Sequence, residues 1–245
     1  MPNKPGRLSR WSLPLAIVAS VAVVGAPLGY RVGVVPLVAA LLGPVVGVLL
    51  SIVVLLVAVT TLLRGRVAPG SRRSVMGAAA IAAVTGFGPL FIVLSAVGLP
   101  AIHDVTTDLD DPPQFEAVVP LRADAPNSLE HGGQAVADAQ RQAYPELETL
   151  ILSQPPDRVV DWAHEVAQEL GWEIVAVDPE AGRVEATATT LWFGFKDDVV
   201  VRVRPGGTGA RVDVRSISRV GGGDLGANAA RVRAFLERLS DRAGE

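Results

Sequence analysis

A chain of 245 residues, 49% of them hydrophobic, with 25 acidic against 22 basic side chains and no cysteine, has the overall composition of a mildly acidic soluble protein. The distribution of charge excludes that: all 25 acidic residues follow position 100, while residues 1–100 hold 8 Lys and Arg and no Asp or Glu, so two parts of the chain are built for two environments. Lack of cysteine excludes disulfides, thiolate metal sites and thiol catalysis, and the net acidic second part argues against nucleic acid as a partner.

Three apolar stretches are free of charge over the roughly 20 residues that a helix needs to cross a bilayer. The first runs from Trp11 to Tyr30. It is longer than a signal-peptide core and two more such stretches follow, which disfavours a cleaved leader. The second, Val32 to Leu63, exceeds one span; Pro36, Gly43 and Pro44 predict an interfacial or kinked lead-in, a span over about residues 40–63 and a straight helix from Val45. The third runs from Val75 to Ala101, with its helix over about 75–100.

Basic residues set the expected orientation. Lys4, Arg7 and Arg10 precede the first span, and Arg64, Arg66, Arg72 and Arg73 crowd the loop between the second and third. After the third span no Lys or Arg occurs until Arg122. A multi-pass protein of the inner (plasma) membrane is expected, with the N-terminus in the cytoplasm and the C-terminal domain outside it. No span contains an ionisable side chain, which removes the basis for a proton relay or ion pathway. Gly25, Gly29, Gly77 and Gly86 are available for close helix contacts.

Residues 102–146 are rich in Asp and Pro, with a Gly132-Gly133 pair and weak periodicity, and are predicted to be an extracytoplasmic linker. Its His103, Asp104 and Asp108 lack metal-ligand spacing and read as a solvated juxtamembrane stretch. A short helix is expected over Gln134–Ala143. From residue 147 to 245 a soluble domain becomes legible. Leu147–Leu152 reads as a strand, and Pro155-Pro156 suit the first turn of a helix. That helix carries Val159, Ala163, Val166 and Leu170 at helical spacing and stops at Gly171, followed by Trp172. Glu173–Val177 and Val184–Phe193 alternate as strands around DPEAG.

A second hairpin, Asp197–Arg204 and Ala210–Val220, turns through PGGTG. If Arg204 faces Arg211, then Val199, Val201 and Val203 share one face with Val212, Val214 and Ser216, and Arg202 faces Asp213 on the other. A slip of one residue would mix valines with arginines, so this register is predicted. A closing helix carries the stripe Leu225, Ala229, Val232, Leu236 and Leu239. The expected architecture is three transmembrane helices followed by a two-layer α+β domain, an antiparallel sheet of four to five strands with two helices on one face.

The densest polar stretch is RSISRVGGGDLGANAAR. On the predicted register Asp198, Arg202, Arg204, Arg211, Asp213, Arg215 and Arg219 lie away from the valines, and Asp197, Ser216 and Ser218 lie with them. A glycine-rich loop from Gly221 that opens into a helix beside arginines is suited to a phosphate or carboxylate. Asp224, however, suits the N-cap of that helix, and the aspartates suit the arginines, so a structural junction is the favoured reading. Catalysis finds little support: no GxSxG or HExxH occurs, His131 and His164 are not placed near Ser216 or Ser218, and Asp197 and Asp198, adjacent in a strand, point to opposite faces.

The segments YPEL, GWEIV, EATATTLWFGFKDDVVVRV and VRSISRVGGGDLGANAARVRAFLERL, with IHDVTTDLDDPPQF ahead of them, resemble the domain of unknown function 1499 family over residues 101–240. The resemblance implies an envelope-associated domain whose signature here is Asp197, Asp198, Arg215, Ser216, Ser218, Arg219, Gly221, Asp224, Gly226, Asn228 and Arg231. It transfers no catalytic residue, because the family carries no established activity. An integral membrane protein displaying an extracytoplasmic binding or assembly domain is therefore expected, with no catalytic residue, metal or cofactor assigned. Its expected partners are the lipid bilayer and an envelope protein or anionic ligand. The alternatives are an envelope hydrolase or transferase using Ser216 or Ser218 with Asp197 or His164, and lipid handling between sheet and helices.

Overall fold

The computed structural model describes residues 8–67, 70–207 and 209–244; Lys4 and Arg7 of the orientation argument lie outside the described residues. The chain divides into two compact units, residues 1–97 with 191–194 and residues 98–190 with 195–245.

In the first unit α1 (Leu8–Ser20) runs through a π-helical turn (Val21–Gly25) into α2 (Ala26–Arg31). The wider turn falls just before Pro27, whose ring would crowd the carbonyl four residues back in a regular α-helix. Two helices follow, α3 (Leu37–Leu63) and α4 (Arg72–Ser95). Three helical segments, Ser9–Arg31, Leu37–Leu63 and Arg72–Ser95, are long and apolar enough to cross a membrane. The expected lead-in before Val45 is not separate from the span. Pro36 is extended at the N-cap, and the helix runs unbroken through Gly43 and Pro44; an internal proline is tolerated where neighbouring helices pack around it. Glycine enables that packing at Gly86, one of the positions expected, where a Cβ would lie 3.3 Å from the Ser51 Cβ of α3, and at two further positions. A Cβ at Gly43 would collide with Ala26 and lie 3.0 Å from the Ala22 carbonyl, and one at Gly47 would lie 2.7 Å from the Ala19 carbonyl. Ser51 and Thr85 share a 2.9 Å hydrogen bond between α3 and α4.

The second unit is built on six antiparallel strands: β1 (Asp104–Thr106), β2 (Leu150–Leu152), β3 (Glu173–Asp178), β4 (Arg183–Thr189), β5 (Lys196–Gly206) and β6 (Gly209–Ser218). Their order is β1-β6-β5-β4-β3, with β2 also pairing β6 farther along. The predicted hairpin register is observed, Arg204 opposite Arg211 and Arg202 opposite Asp213. Helices α6 (Pro156–Glu169) and α7 (Ala227–Gly244) cover the valine face; Val159, Val166, Val232 and Leu239 pack with Val199, Val201, Val212 and Val214. Trp172, just beyond the Gly171 stop (φ 74°), stacks on Phe235 with centroids 5.4 Å apart. β4 ends at Thr189 rather than Phe193, because Thr190 and Phe195 close a loop through two hydrogen bonds of 2.8 and 2.9 Å. Leu225 is not part of the α7 stripe: it precedes the helix at φ 55° and is 62% exposed, and Phe235 fills the core instead.

The predicted linker over 102–146 belongs to the fold. It supplies β1, a 3-10 turn (Val119–Arg122) and α5 (Gly133–Ala143). Phe115 and Val118 join Val200 and Ile217 in a small core on the sheet face opposite α6 and α7. The Gln140 side chain of α5 accepts the Thr106 N–H (3.0 Å) and donates to the Thr106 carbonyl (2.6 Å). An amide side chain thereby occupies the outer edge of β1 where another strand would otherwise pair. Period-free sequence hid all this, because the segment is held by single side-chain contacts rather than by a repeating face.

Candidate functional site

Alternation along β5 and β6 divides the eleven-residue signature between the two faces of the sheet. On the α7 side, Arg231 donates to Asp197 (2.6 Å), to the Ser216 hydroxyl (3.0 Å) and to the Asn228 side-chain carbonyl (2.5 Å). Asn228 also meets Ser216 Oγ at 2.6 Å and donates to Ser218 Oγ at 2.9 Å. Asp197, Ser216, Ser218 and Asn228 are all buried. Asp224 accepts the backbone N–H of Gly226 (2.8 Å) and of Asn228 (2.7 Å), so the start of α7 already holds a carboxylate. Gly221 (φ 93°) and Gly226 (φ 83°) supply the left-handed backbone that lets the chain turn from β6 into α7.

On the opposite face residues 104–130 supply many of the partners. Asp198 receives Arg122 (2.6 Å), both ends of Arg219 (2.9 and 2.8 Å) and the Thr187 hydroxyl (2.7 Å). Burial alone would raise the Asp198 carboxyl, but hydrogen bonds from Arg219, Arg122 and Thr187 outweigh it and hold the group below the ordinary aspartate range. Arg215 is fully buried. It forms a two-pronged pair with Asp104 (3.0 and 2.7 Å), donates to the Pro113 and Leu129 carbonyls, and lies 5.3 Å from the centre of the Phe115 ring. Asp213 takes Thr149 (2.6 Å), Arg202 (3.1 Å) and Arg204 (3.0 Å), and the same two arginines also bind Asp108 and Asp111. Glu185 accepts three consecutive backbone N–H groups, Glu116 to Val118, at 2.9–3.0 Å.

The predicted pairing of aspartates with arginines is therefore present, with residues not assigned to it from sequence: Asp104, Arg122, Thr187 and Glu185. One signal was available. Arg122 is the sole basic residue between positions 74 and 140, an isolated charge in a segment expected to be solvated. Asp104 and Asp108, read above as part of a solvated juxtamembrane stretch, are instead engaged by arginines, and among the described residues no group of three or more His, Asp or Glu is placed to hold a metal ion. Ser216 and Ser218 are buried, and Val159, Val166, Val232, Phe235 and Leu239 pack with the valines of the sheet between the layers. His131 is partly buried, with its Nε2 unpaired, and burial pushes its pKa down.

These residues coincide with a known family. A family model described as "Protein of unknown function (DUF1499)" matches residues 104–239. The chain belongs to this family. The match begins at Asp104, the partner of Arg215, and ends at Leu239, a buried residue of α7, so the family domain includes the segment first read as a linker. No curated protein matches the chain. α1 to α4 lie outside the matched residues.

Proposed function

We propose that this multi-pass inner-membrane protein displays its family domain outside the cytoplasm for binding or assembly, without catalysis. Arg64, Arg66, Arg72 and Arg73 between the second and third apolar helices, with no basic residue from 74 to 121, support the orientation. The observation that carries the binding role is the state of the arginines. On the face of the β5–β6 hairpin away from the valines, Arg202, Arg204, Arg215 and Arg219 are all ion-paired, while Arg211 is exposed and among the described residues makes no ion pair.

Beside Arg211, a cleft of about 500 Å³ is lined by Ile151, Leu152, Ser153, Pro205 and glycines of the β5–β6 turn, with no acidic side chain. Ile151, its cross-strand neighbour, is 61% exposed. One guanidinium beside an apolar wall suits an acidic segment of an envelope protein. Photo-crosslinking from position 151 in membranes tests this. Wild type should capture a protein that Arg211→Glu loses at unchanged melting temperature; equal capture by both would refute the site. A reporter active only in the cytoplasm, fused after Glu245, should stay silent, and activity from it would refute the orientation.

A further inference from the structure

We propose that the end of the family domain at which the chain enters is a lipid-binding surface, seated in the interfacial layer of a bilayer through Leu121, Val119 and Leu225. Hydrogen bonds place three segments at that end. The Leu121 carbonyl accepts Arg219 at 2.8 Å, and the Asn127 amide donates to the Ser218 and Gly221 carbonyls at 3.0 and 2.9 Å. The entering chain bonds there too, Ser218 N–H to the His103 carbonyl (2.9 Å) and Asp224 N–H to the Ile102 carbonyl (3.2 Å). The 3-10 turn, the β6–α7 loop and the start of the domain thus share one end of β6.

This end gathers exposed apolar side chains, with the exposed charges of Asp124 and Lys196 at its margin. Val119 and Leu121 are 49% and 53% exposed, and Leu225 and Leu99 are exposed beside the same loop. Among the described large apolar side chains of residues 98–190 and 195–244, Ile151 is the exposed one located elsewhere. Stretches 118–121 and 220–226 contain one ionisable residue, Asp224, and its carboxylate is turned onto the N–H groups of Gly226 and Asn228. Leu225 is also the single described non-glycine residue at positive φ, so the backbone adopts an unfavourable conformation at a leucine that faces outward.

Lipid is the occupant the chain itself indicates. Residues 96–101 join this end to α4, an apolar helix long enough to cross a membrane, so the bilayer is the apolar phase to which this end is tethered. Uncharged loops tipped with leucine and valine gain by burying those side chains at the headgroup boundary.

Absence of native cysteine makes the test direct. The full chain, carrying Leu121→Cys, Leu225→Cys or Glu180→Cys in the distant β3–β4 turn, is labelled with a fluorophore and placed in nanodiscs containing headgroup-proximal spin-labelled lipid. Labels at 121 and 225 should be quenched severalfold more than the label at 180. Equal, weak quenching at all three, with full accessibility to aqueous iodide, would overturn the proposal. Protection from iodide without quenching by lipid would also overturn it, and would assign the surface to protein contacts.

Discussion

At Asp198 two guanidiniums and a hydroxyl meet one buried carboxylate. Removing its charge leaves Arg122 and Arg219 facing each other without a counter-charge. Asp198→Asn is therefore expected to destabilise the domain by about 3–5 kcal/mol, the range for breaking a buried pair. Arg211→Ala, at an exposed and unpaired site, should change stability by no more than ~0.5 kcal/mol. Thermal unfolding of the two variants side by side checks the contrast. Acid sensitivity follows from the same residues. Asp198 is held below its ordinary value, so its contribution is complete above about pH 4 and is lost as pH falls through the lower folded value. His131 acts earlier. Burial lowers its pKa, with Asp104 opposing and Arg215 adding to the shift, so the unfolded chain takes up a proton near pH 6.5 that the folded chain resists. Melting temperature should begin to fall below about pH 6.5, and His131→Gln should remove that first step while leaving the second.

At the scale of elements, the sheet and its two covering helices were legible and the segment over the other face was not. Strands β5 and β6 announce themselves because valines alternate with charges, and the Arg202–Asp213 pair fixes their register. Helices α6 and α7 show an apolar stripe. Residues 104–130 have neither pattern; Arg122 and Asp198 are separated by 76 positions, and nothing in local spacing joins them. The site was legible in the same uneven way. That the aspartates would neutralise the arginines followed from parity, whereas the identity of half the partners depended on a segment without period. The consequence is a boundary. A fragment beginning at Leu147 would lack β1, Phe115, Val118 and Arg122, leaving Arg215 without Asp104 and Asp198 with Arg219 but without Arg122. It is expected to be unfolded or aggregated, whereas one beginning at Gly98 should give a dispersed amide spectrum. Comparing the two by NMR decides between linker and integral element.

Over the whole molecule, charge is sorted by position along the chain: residues 1–100 carry basic side chains and no acidic ones, and all acidic side chains follow them. Within the domain part of that acidity is drawn inward. Asp104, Glu185, Asp197, Asp198 and Asp213 are all buried, each held by arginines, hydroxyls or backbone N–H groups. The family signature thus reads as internal wiring, and surface features outside it, the Arg211 cleft and the leucine-tipped end, are what the molecule offers to its surroundings.

The bond between Asp104 and Arg215 spans 111 positions, so the first strand of the domain is completed by its last. Time enters here. During synthesis β1 emerges long before its neighbour β6 exists, and Asp104 and Asp198 remain without their late-arriving partners Arg215 and Arg219. Closure of so long a loop before that pairing is rewarded makes this step slow, and places it after β6 has emerged. Nascent chains stalled short of residue 219 should be digested readily by protease, and resistance should rise abruptly once α7 has emerged. A gradual gain of protection with chain length would instead mean that the hairpins settle independently. Until β6 arrives, the chain is an open acidic strand for whatever chaperone or protease reaches it first.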